Sequence, residues 1–467
     1  MTRVILGGGL SGLSAAFYLL KRLPKQPIFL IEGSNRLGGW IKSDPVQDNI
    51  ILEQAARTLR PRGELGENTL ALIEELGLSN AVIPIPMNSP PAKNRMIYVK
   101  GNLISLPSSI SDLFVVKPPL TKPLINHLLN DIKIPAKFVK DESIYDFVQR
   151  RFGTEIADYF ISPMICGICA GNAKEISVNF LFKTLFDYEQ NHGGVIKGFI
   201  KSIFAKKEKT TITSDLATKA KQEMWSIYSL SGGLETLTKS LSDHISAKNV
   251  NTMLNSTCQE LKLYSKGVDV ILNDGNHINT PHVISALPSY NLAKLVKNQH
   301  PELASLLNEI KFVTVCVVNL VYNKKWIKKD GFGFLVPPIE NLPILGVIYD
   351  SCCFPYGNDK TVLTVMMGGH WFNKYFGKSA TEEELLAVAT EQLKNIMGID
   401  EEPTLSKVNI LKNCIPQYVV GHNETVAKIN DYISSKFLPI SLCGSSYEGV
   451  GVNDVILSAK KAVDHVK

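Results

Sequence analysis

The chain opens on a short apolar run, Val4-Ile5-Leu6, that enters a glycine cluster and leaves as an Ala- and Leu-rich stretch to about Leu23. That order reads as strand, turn and helix, and Pro24 and Pro27 end the helix. A second apolar run, Ile28-Phe29-Leu30-Ile31, reads as a strand that stops at Glu32. Residues 40–43 and 50–53 follow as short strands, and 70–76 as a helix stopped by Gly77. Residues 94–101 alternate apolar and polar positions up to a Lys-Gly-Asn reversal, which predicts a hairpin. From Pro107 to about Lys209 the period becomes helical with prolines as punctuation, and residues 144–152 form a helix ended by Gly153.

Residues 195–207 put Ile196, Phe199, Ile200, Ile203 and Phe204 on one helical face with lysines opposite. Such a face lies in a membrane interface or packs on its own domain. Residues 206–221 are polar and read as an exposed loop. Ser229 to Glu235 opens a helix running to about His244, Asn273-Asp274-Gly275 marks a two-residue hairpin, and 281–288 is a buried strand. Residues 312–322, 332–336, 345–349 and 362–367 are β-rich, and 382–397 is a helix. Residues 440–447 form a strand into a glycine turn, and 448–454 begins a helix that ends near Val466.

These elements predict an α/β (α+β overall) chain. A Rossmann-like nucleotide-binding domain is built from 1–83, 222–288 and 404–467. A mixed-sheet substrate domain takes 84–106 and 289–403, and a helical, membrane-associating domain takes 107–221. At 467 residues the chain is too long for one ordinary core, which agrees with such a division. A hydrophobic content of 45% and a charged content of 20% exclude a disordered or fibrous protein. The net charge of +6 comes from widely spread lysines, so an anionic membrane surface fits it and nucleic acid does not. The eight cysteines form no zinc-binding pattern, no metal is expected, and Cys166-x-x-Cys169 and Cys352-Cys353 read as small buried residues. The stretch 4–20 imitates a signal peptide, but its continuation into Glu32 makes it the first βα unit, so no cleavable presequence is expected.

The chemistry sits in the glycines. Gly7 permits a tight turn, Gly9 lets backbone approach a pyrophosphate, and Gly12 lets helix pack on strand. The helix start then offers free N–H groups to phosphate. Glu32 stands where a carboxylate accepts from ribose hydroxyls and repels a 2′-phosphate, which argues against NADP. The continuation Glu32-x-x-x-Arg36-x-Gly38-Gly39 resembles the amine oxidase superfamily of FAD-binding oxidoreductases. A second small-residue helix start at 444–454 suits the same dinucleotide. Arg57, Arg60 and Arg62 form either a solvated basic loop or an anion site, and Arg95 is a surface residue or a carboxylate anchor. No Ser-His-Asp, Cys-His or paired-carboxylate constellation is visible, and the nine histidines do not cluster.

Taken together, Gly7–Gly12, Glu32, Arg36–Trp40, Asn94-Arg95, Tyr349-Asp350-Ser351, Cys414-Ile-Pro-Gln-Tyr418 and Ser446-Tyr-Glu-Gly-Val-Gly-Val-Asn-Asp454 resemble the oxygen-dependent, mitochondrial protoporphyrinogen oxidases over the whole chain. The resemblance implies one noncovalent FAD and oxidation of protoporphyrinogen IX to protoporphyrin IX, the penultimate step of heme biosynthesis. Flavin N5 takes a hydride equivalent from a bridging methylene, and O2 reoxidises the flavin to give H2O2. It implies substrate contacts at Arg95 (a propionate anchor), Gly167, Phe332, Leu335 and Met366, with no catalytic side chain assigned. It implies cofactor contacts at Gly7, Gly8, Gly9, Leu10, Ser11, Gly12, Glu32, Gly33, Arg36, Gly39 and Trp40. Further contacts fall on Ala55, Ala56, Arg57, Thr58, Thr257, Ser445, Val450, Gly451 and Val452. It places the protein peripherally on the mitochondrial inner membrane, facing the intermembrane space, with a homodimer and ferrochelatase as further candidate partners.

Two departures stand out: Ala55-Ala56-Arg57 where many members have Gly-Pro-Arg, and Cys166 where animal members often have arginine. Two other readings stay open. One is a monoamine or polyamine oxidase, with Cys414 as a candidate covalent flavin link. The other is a non-enzymatic escort like the GDP-dissociation inhibitors, which reuse this fold without flavin.

Overall fold

Strand Arg3–Leu6 lies at the middle of a five-stranded parallel sheet, buried along its whole length in this computed structural model, which describes residues 2–204, 214–248, 250–354, 356 and 359–466. On one side it pairs with Ile28–Ile31 and then Asn251–Met253; on the other with Val283–Ser285 and then Ile440–Leu442. Segments from both ends of the chain are therefore neighbours in one sheet. Helices cover its faces, so its strands read as continuous apolar runs rather than alternating ones. Helix Leu10–Arg22 packs against helix Val452–Asp464 and helix Glu235–Ala247. Its buried face includes Leu13, Ala16, Phe17 and Leu19, and its last turn carries Lys21 and Arg22 at the negative end of the dipole.

The chain divides into two compact units. The first takes residues 1–86, 210–311 and 423–467 and holds the parallel sheet. The second takes residues 87–209 and 312–422. It is built on a seven-stranded sheet ordered Leu405–Pro416, Phe312–Tyr322, Thr361–Gly369, Ile344–Tyr349, Gly333–Leu335, Arg95–Val99 and Asn102–Ser105. All neighbours are antiparallel except Gly333–Leu335 beside Arg95–Val99.

Side-chain alternation divides this second sheet cleanly. Met96, Phe334, Val347, Val365, Met367 and Cys316 point to one face and form a core with helix Glu382–Met397. Val315, Val317 and Leu345 point to the other, where they meet Cys166 and Ala170 of helix Ser162–Cys169 and its end. Long β-branched runs and a capping-box helix at Thr381–Glu384 made this half legible from residue pattern.

Several expectations change. The 107–209 helices group with the seven-stranded sheet rather than standing as a third domain, and 404–422 joins that sheet because Leu405–Pro416 pairs with Phe312–Tyr322. Residues 289–311 fall with the parallel sheet instead, as helices Ser289–Val296 and Pro301–Glu309. The expected loop 206–221 holds helix Asp215–Gln222, capped by Ser214 and buried through Leu216, Ala217 and Ala220; residues 205–213 lie outside the described residues. Three small side chains among lysines make too weak an apolar period to declare that helix. The hairpin at 273–275 is a four-residue turn, with Ile271 facing His277, and the helix expected at 70–76 begins already at Gly63.

Candidate active site

In the first unit, Gly7 turns the chain with φ +98° and accepts the Gly12 helix turn at contact distance. A Cβ at Gly12 would stand 1.8 Å from the Gly7 carbonyl oxygen, so helix Leu10–Arg22 can start here only with hydrogen at that position. Gly9 precedes the helix in extended conformation, and its nearest neighbour across the gap is the Gly39 backbone, 3.7 Å from where a Cβ would sit. Two backbones thus face one another with no side chain between them. Gly9 and Gly38 form a parallel bridge, and Gly38 N–H donates to the Gly8 carbonyl at 2.9 Å.

Glu32, at the end of strand Ile28–Ile31, accepts from Gly8 N at 2.7 Å and from Ser34 N at 2.8 Å. Those bonds fix the carboxylate beside the glycine loop, leaving lone pairs for a diol. Thr257 lies close by, its Oγ1 3.1 Å from where a Gly33 Cβ would sit. The C-terminal half-site meets the first: a Cβ on Gly444, at φ +103°, would lie 3.1 Å from Ser11 Oγ. Asp454 then caps helix Val452–Asp464 by accepting from Gly451 N at 2.9 Å. Burial raises its pKa, against the lowering effect of that Gly451 bond. Ser446 Oγ accepts from Ser289 N at 3.1 Å, which ties down the residue beside Ser445. Val450 and Val452 are half-buried around Gly451.

One expected cofactor residue, Arg36, is held by its own loop. Arg36 directs its guanidinium to the carbonyls of Leu37, Gly39 and Ile41 and so shapes the 37–41 loop. The three arginines also part company: Arg57 is buried, whereas Arg60 and Arg62 are exposed. Trp40 is exposed, and Ala55, Ala56 and Thr58 are half-buried in a segment pinned where Leu59 bridges Tyr228. Before that segment, buried Glu53 accepts from Ser43 Oγ at 2.7 Å and from Leu234 N at 2.7 Å. Residue pattern did not find this carboxylate, and the one signal was an acid ending an apolar strand.

A side-chain-free cradle, a helix start and a fixed carboxylate are the parts a dinucleotide requires, so the residues present fit FAD. Gly7 to Gly12 and the 450–452 turn would hold its pyrophosphate and adjoining chain, and Glu32 its adenosine ribose.

In the second unit, the expected substrate residues converge on one face of the seven-stranded sheet. Arg95 pairs with Gly333, and Leu335 pairs with both Ile97 and Gly346. Gly346 pairs with Met366, so Arg95, Leu335 and Met366 point to one side. Helix Ser162–Cys169 lies over that side, where a Cβ on Gly167 would come within 2.9 Å of Leu335 Cδ2. Phe332 precedes the strand, and the Arg95 guanidinium carbon lies 5.3 Å from its ring centroid. Arg95 is exposed at the open end, so a flat aromatic support holds a charged head at the edge of an apolar floor.

Two cysteines on this side of the sheet, Cys166 and Cys414, are buried. Burial raises the Cys166 thiol, and it lies 3.7 Å from the Gly171 carbonyl. Cys414 is buried in the same cluster, its thiol pushed up to about 12 by burial and donating to the Val313 carbonyl. A buried polar chain was not foreseen: Asn319 donates to Thr364 Oγ1 at 2.9 Å, and Thr364 to Asp350 Oδ2 at 2.7 Å. Asp350 stood in the Tyr-Asp-Ser motif, but its partners are far off in sequence.

The chain is similar to known proteins over its whole length. The flavin-containing amine oxidoreductase family matches residues 10–467. Protoporphyrinogen oxidase of Bos taurus is 38% identical, covering 100% of this chain and 98% of its own. Protoporphyrinogen oxidase of Homo sapiens is 37% identical, covering 99% and 97%. A crystal structure of an Exiguobacterium protein superposes with TM-score 0.80 at 21% identity, covering 99% of this chain and 98% of that one, which shows the same fold.

Proposed function

The chain belongs to the flavin-containing amine oxidoreductase family, and from that premise we propose that it is an FAD-dependent oxidase of protoporphyrinogen IX. The products are protoporphyrin IX and, with O2 as final acceptor, H2O2. The observation that carries this reading is the single sheet face that gathers Arg95, Leu335 and Met366 beneath Gly167. The substrate is a broad macrocycle whose ring is apolar and uncharged and whose anionic propionates lie on one edge. It needs an apolar slot that excludes water and a cation at its mouth.

Bound FAD supplies the two-electron acceptor, and the redox chemistry is the cofactor's. The protein's own residues bind and orient. The Arg95 guanidinium takes a propionate through its planar fork, and Phe332 limits its swing. Leu335 and Met366 supply floor, and the Gly167 turn of the roof helix supplies ceiling. Gly167 has no side chain, so the helix closes on Leu335 without filling the slot.

The test is anaerobic mixing of the holoenzyme with protoporphyrinogen IX. Bound flavin is expected to bleach and to recover on admitting O2; flavin that stays yellow sinks the reading. In aerobic steady-state turnover Arg95→Ala raises KM about 5- to 150-fold, the equivalent of losing a charge-assisted contact of about 1–3 kcal/mol. An unchanged KM removes Arg95 from the site.

The reading extends to location. Phe199, Ile200, Ile203 and Phe204 are exposed on helix Val195–Phe204, as are Ile110, Phe114, Val115 and Val116 on the same unit. Among the described residues no helix is long and apolar enough to cross a membrane. Exposed apolar residues beside lysines support peripheral attachment to an anionic bilayer, the mitochondrial inner membrane on its intermembrane-space side. The protein is expected to float with cardiolipin-containing vesicles and to stay behind after F199E/F204E; wild-type protein left at the bottom of the gradient contradicts attachment. A second copy of the chain and ferrochelatase complete the list of expected partners, and sedimentation of the chain alone and in mixture decides both.

A further inference from the structure

Two neighbouring rungs of the seven-stranded sheet differ in chemistry. In the first, Arg95 pairs with Gly333, Gly333 with Ile348, Ile348 with Thr364 and Thr364 with Asn319, one line across five strands. Residues opposite one another share a face, and this is the face of Leu335 and Met366. The second rung, two residues along, is Ile97, Leu335, Gly346, Met366 and Val317, with no polar side chain. At the far end of the first rung, Asn319 and Thr364 meet Asp350, and all three are buried. Asn319 Nδ2 donates to Thr364 Oγ1 at 2.9 Å, and Thr364 Oγ1 donates to Asp350 Oδ2 at 2.7 Å.

Packing does not explain that chain. Valine has the shape of threonine, and apolar side chains at such places hold a sheet together as well as polar ones do. Burying an amide, a hydroxyl and a carboxyl costs free energy, which their mutual bonds offset only in one fixed arrangement. What that arrangement fixes is the helical turn Asp350–Cys353, packed on strand Thr361–Gly369 and on the turn Pro90–Lys93 just ahead of Arg95. Val362 N donates to Ser351 Oγ at 3.2 Å, a second tie between that turn and the same strand. Tyr349, the residue before Asp350, donates its N–H to the Phe332 carbonyl at 3.0 Å. Phe332 N–H donates in turn to the Asn94 carbonyl at 3.0 Å. Phe332 is thus clamped between the start of the turn and the residue before Arg95, with its ring centroid 5.3 Å from the Arg95 guanidinium carbon.

We propose that Asp350 and Thr364 are positioning residues for the propionate anchor: they fix the turn that sets Phe332, and the Phe332 ring sets the direction of the Arg95 guanidinium. The inference rests on the porphyrinogen reading above. Thr364 stands three strands from Arg95, about 14 Å at the usual strand spacing. Between them on the rung lie Gly333, which has no side chain, and Ile348. The effect therefore travels through backbone, by the bond from Tyr349 to Phe332. An exposed arginine at a strand end has several rotamers open. A ring fixed beneath it removes most of them before the propionate arrives, so less ordering is left to binding.

The experiment is a double-mutant cycle on the holoenzyme, read as steady-state KM and kcat with protoporphyrinogen IX. Thr364→Val is expected to raise KM about 3- to 30-fold with kcat within about twofold of the parent. Thr364→Ser, which keeps the hydroxyl, should bring KM back to within about twofold. In an Arg95→Ala background Thr364→Val should add less than about twofold, because the anchor it positions is gone. The dimethyl ester of the same porphyrinogen offers Arg95 no carboxylate, and parent and Thr364→Val should show the same KM for it. Because Thr364→Val can fail to fold, Asp350→Asn is taken through the same cycle. It keeps the volume and weakens the same contact, with an expected rise in KM of about 2- to 10-fold. An unchanged KM in both variants overturns the inference, as does loss of bound flavin from both. A rise that persists in full with Arg95→Ala or with the ester marks a merely structural role and overturns it too. A parent holoenzyme that oxidises no porphyrinogen overturns the function itself, which is a different result.

Discussion

Gly12→Ala yields protein that retains less than about a tenth of its FAD and melts well below the parent. The new methyl would stand 1.8 Å from the Gly7 carbonyl oxygen, a backbone atom that cannot swing aside. Relief requires helix Leu10–Arg22 to pull away from the strand Arg3–Leu6, and that helix also packs on Val452–Asp464. Both halves of the nucleotide cradle move together. Gly9→Ala is the contrasting case. Its methyl finds the nearest protein atom 3.7 Å away, so the apoprotein keeps its melting temperature. It intrudes only on the space a pyrophosphate needs, and FAD affinity falls roughly ten- to a hundredfold, about 1.4–2.8 kcal/mol. The flavin-to-protein absorbance ratio and the melting curve of each apoprotein check both. Equal flavin content in Gly12→Ala and parent would overturn the assignment of the cradle.

Arg151→Met destabilises the protein by about 3–5 kcal/mol, read as a fall in the urea midpoint. Arg151 is fully buried among the 107–209 helices, paired with Asp131 at 3.3 Å and with Glu189. It also donates to the backbone carbonyls of Asp131 at 3.2 Å and Ile134 at 2.8 Å. Methionine fills the space but leaves two buried carboxylates short of a cation. Arg150 only partly compensates, because it reaches Glu189 at 2.6 Å but not Asp131. Arg150→Met costs less, since Glu189 keeps Arg151.

The loss depends on pH with a definite sign. Burial alone would raise the Glu189 pKa, but hydrogen bonds from Arg150, Lys137 N and Arg151 hold it below the ordinary carboxylate value. A depressed carboxylate contributes stability above its unfolded pKa and loses it as pH falls through the folded one. The parent-minus-variant difference is therefore full at pH 7 and shrinks below the usual carboxylate range. A difference that grows on acidification would contradict the pairing.

Much of the site was readable before any coordinates. The spacing Gly7, Gly9, Gly12 and Glu32 is local, and each residue there acts within one βα unit or at the strand beside it. Arg36 was readable as a motif but not as a role, because its carbonyl partners depend on how the 37–41 loop curls. The helix Asp215–Gln222 was invisible for another reason. Its buried Leu216, Ala217 and Ala220 form a small stripe that matters only against helix Gly63–Glu75.

By itself the sequence determined the two candidate nucleotide half-sites and the long strands of the seven-stranded sheet, since glycine spacing and apolar period follow from backbone geometry alone. It also marked Arg95, as a charge at the edge of a hairpin. Only the tertiary structure decided which strands are neighbours, and so which side chains share a face. Arg95, Leu335 and Met366 become one floor through Gly333, Ile97 and Gly346, contacts spanning 238 to 11 residues of chain. Register is a long-range property: a shift of one residue would turn every one of these side chains to the opposite face.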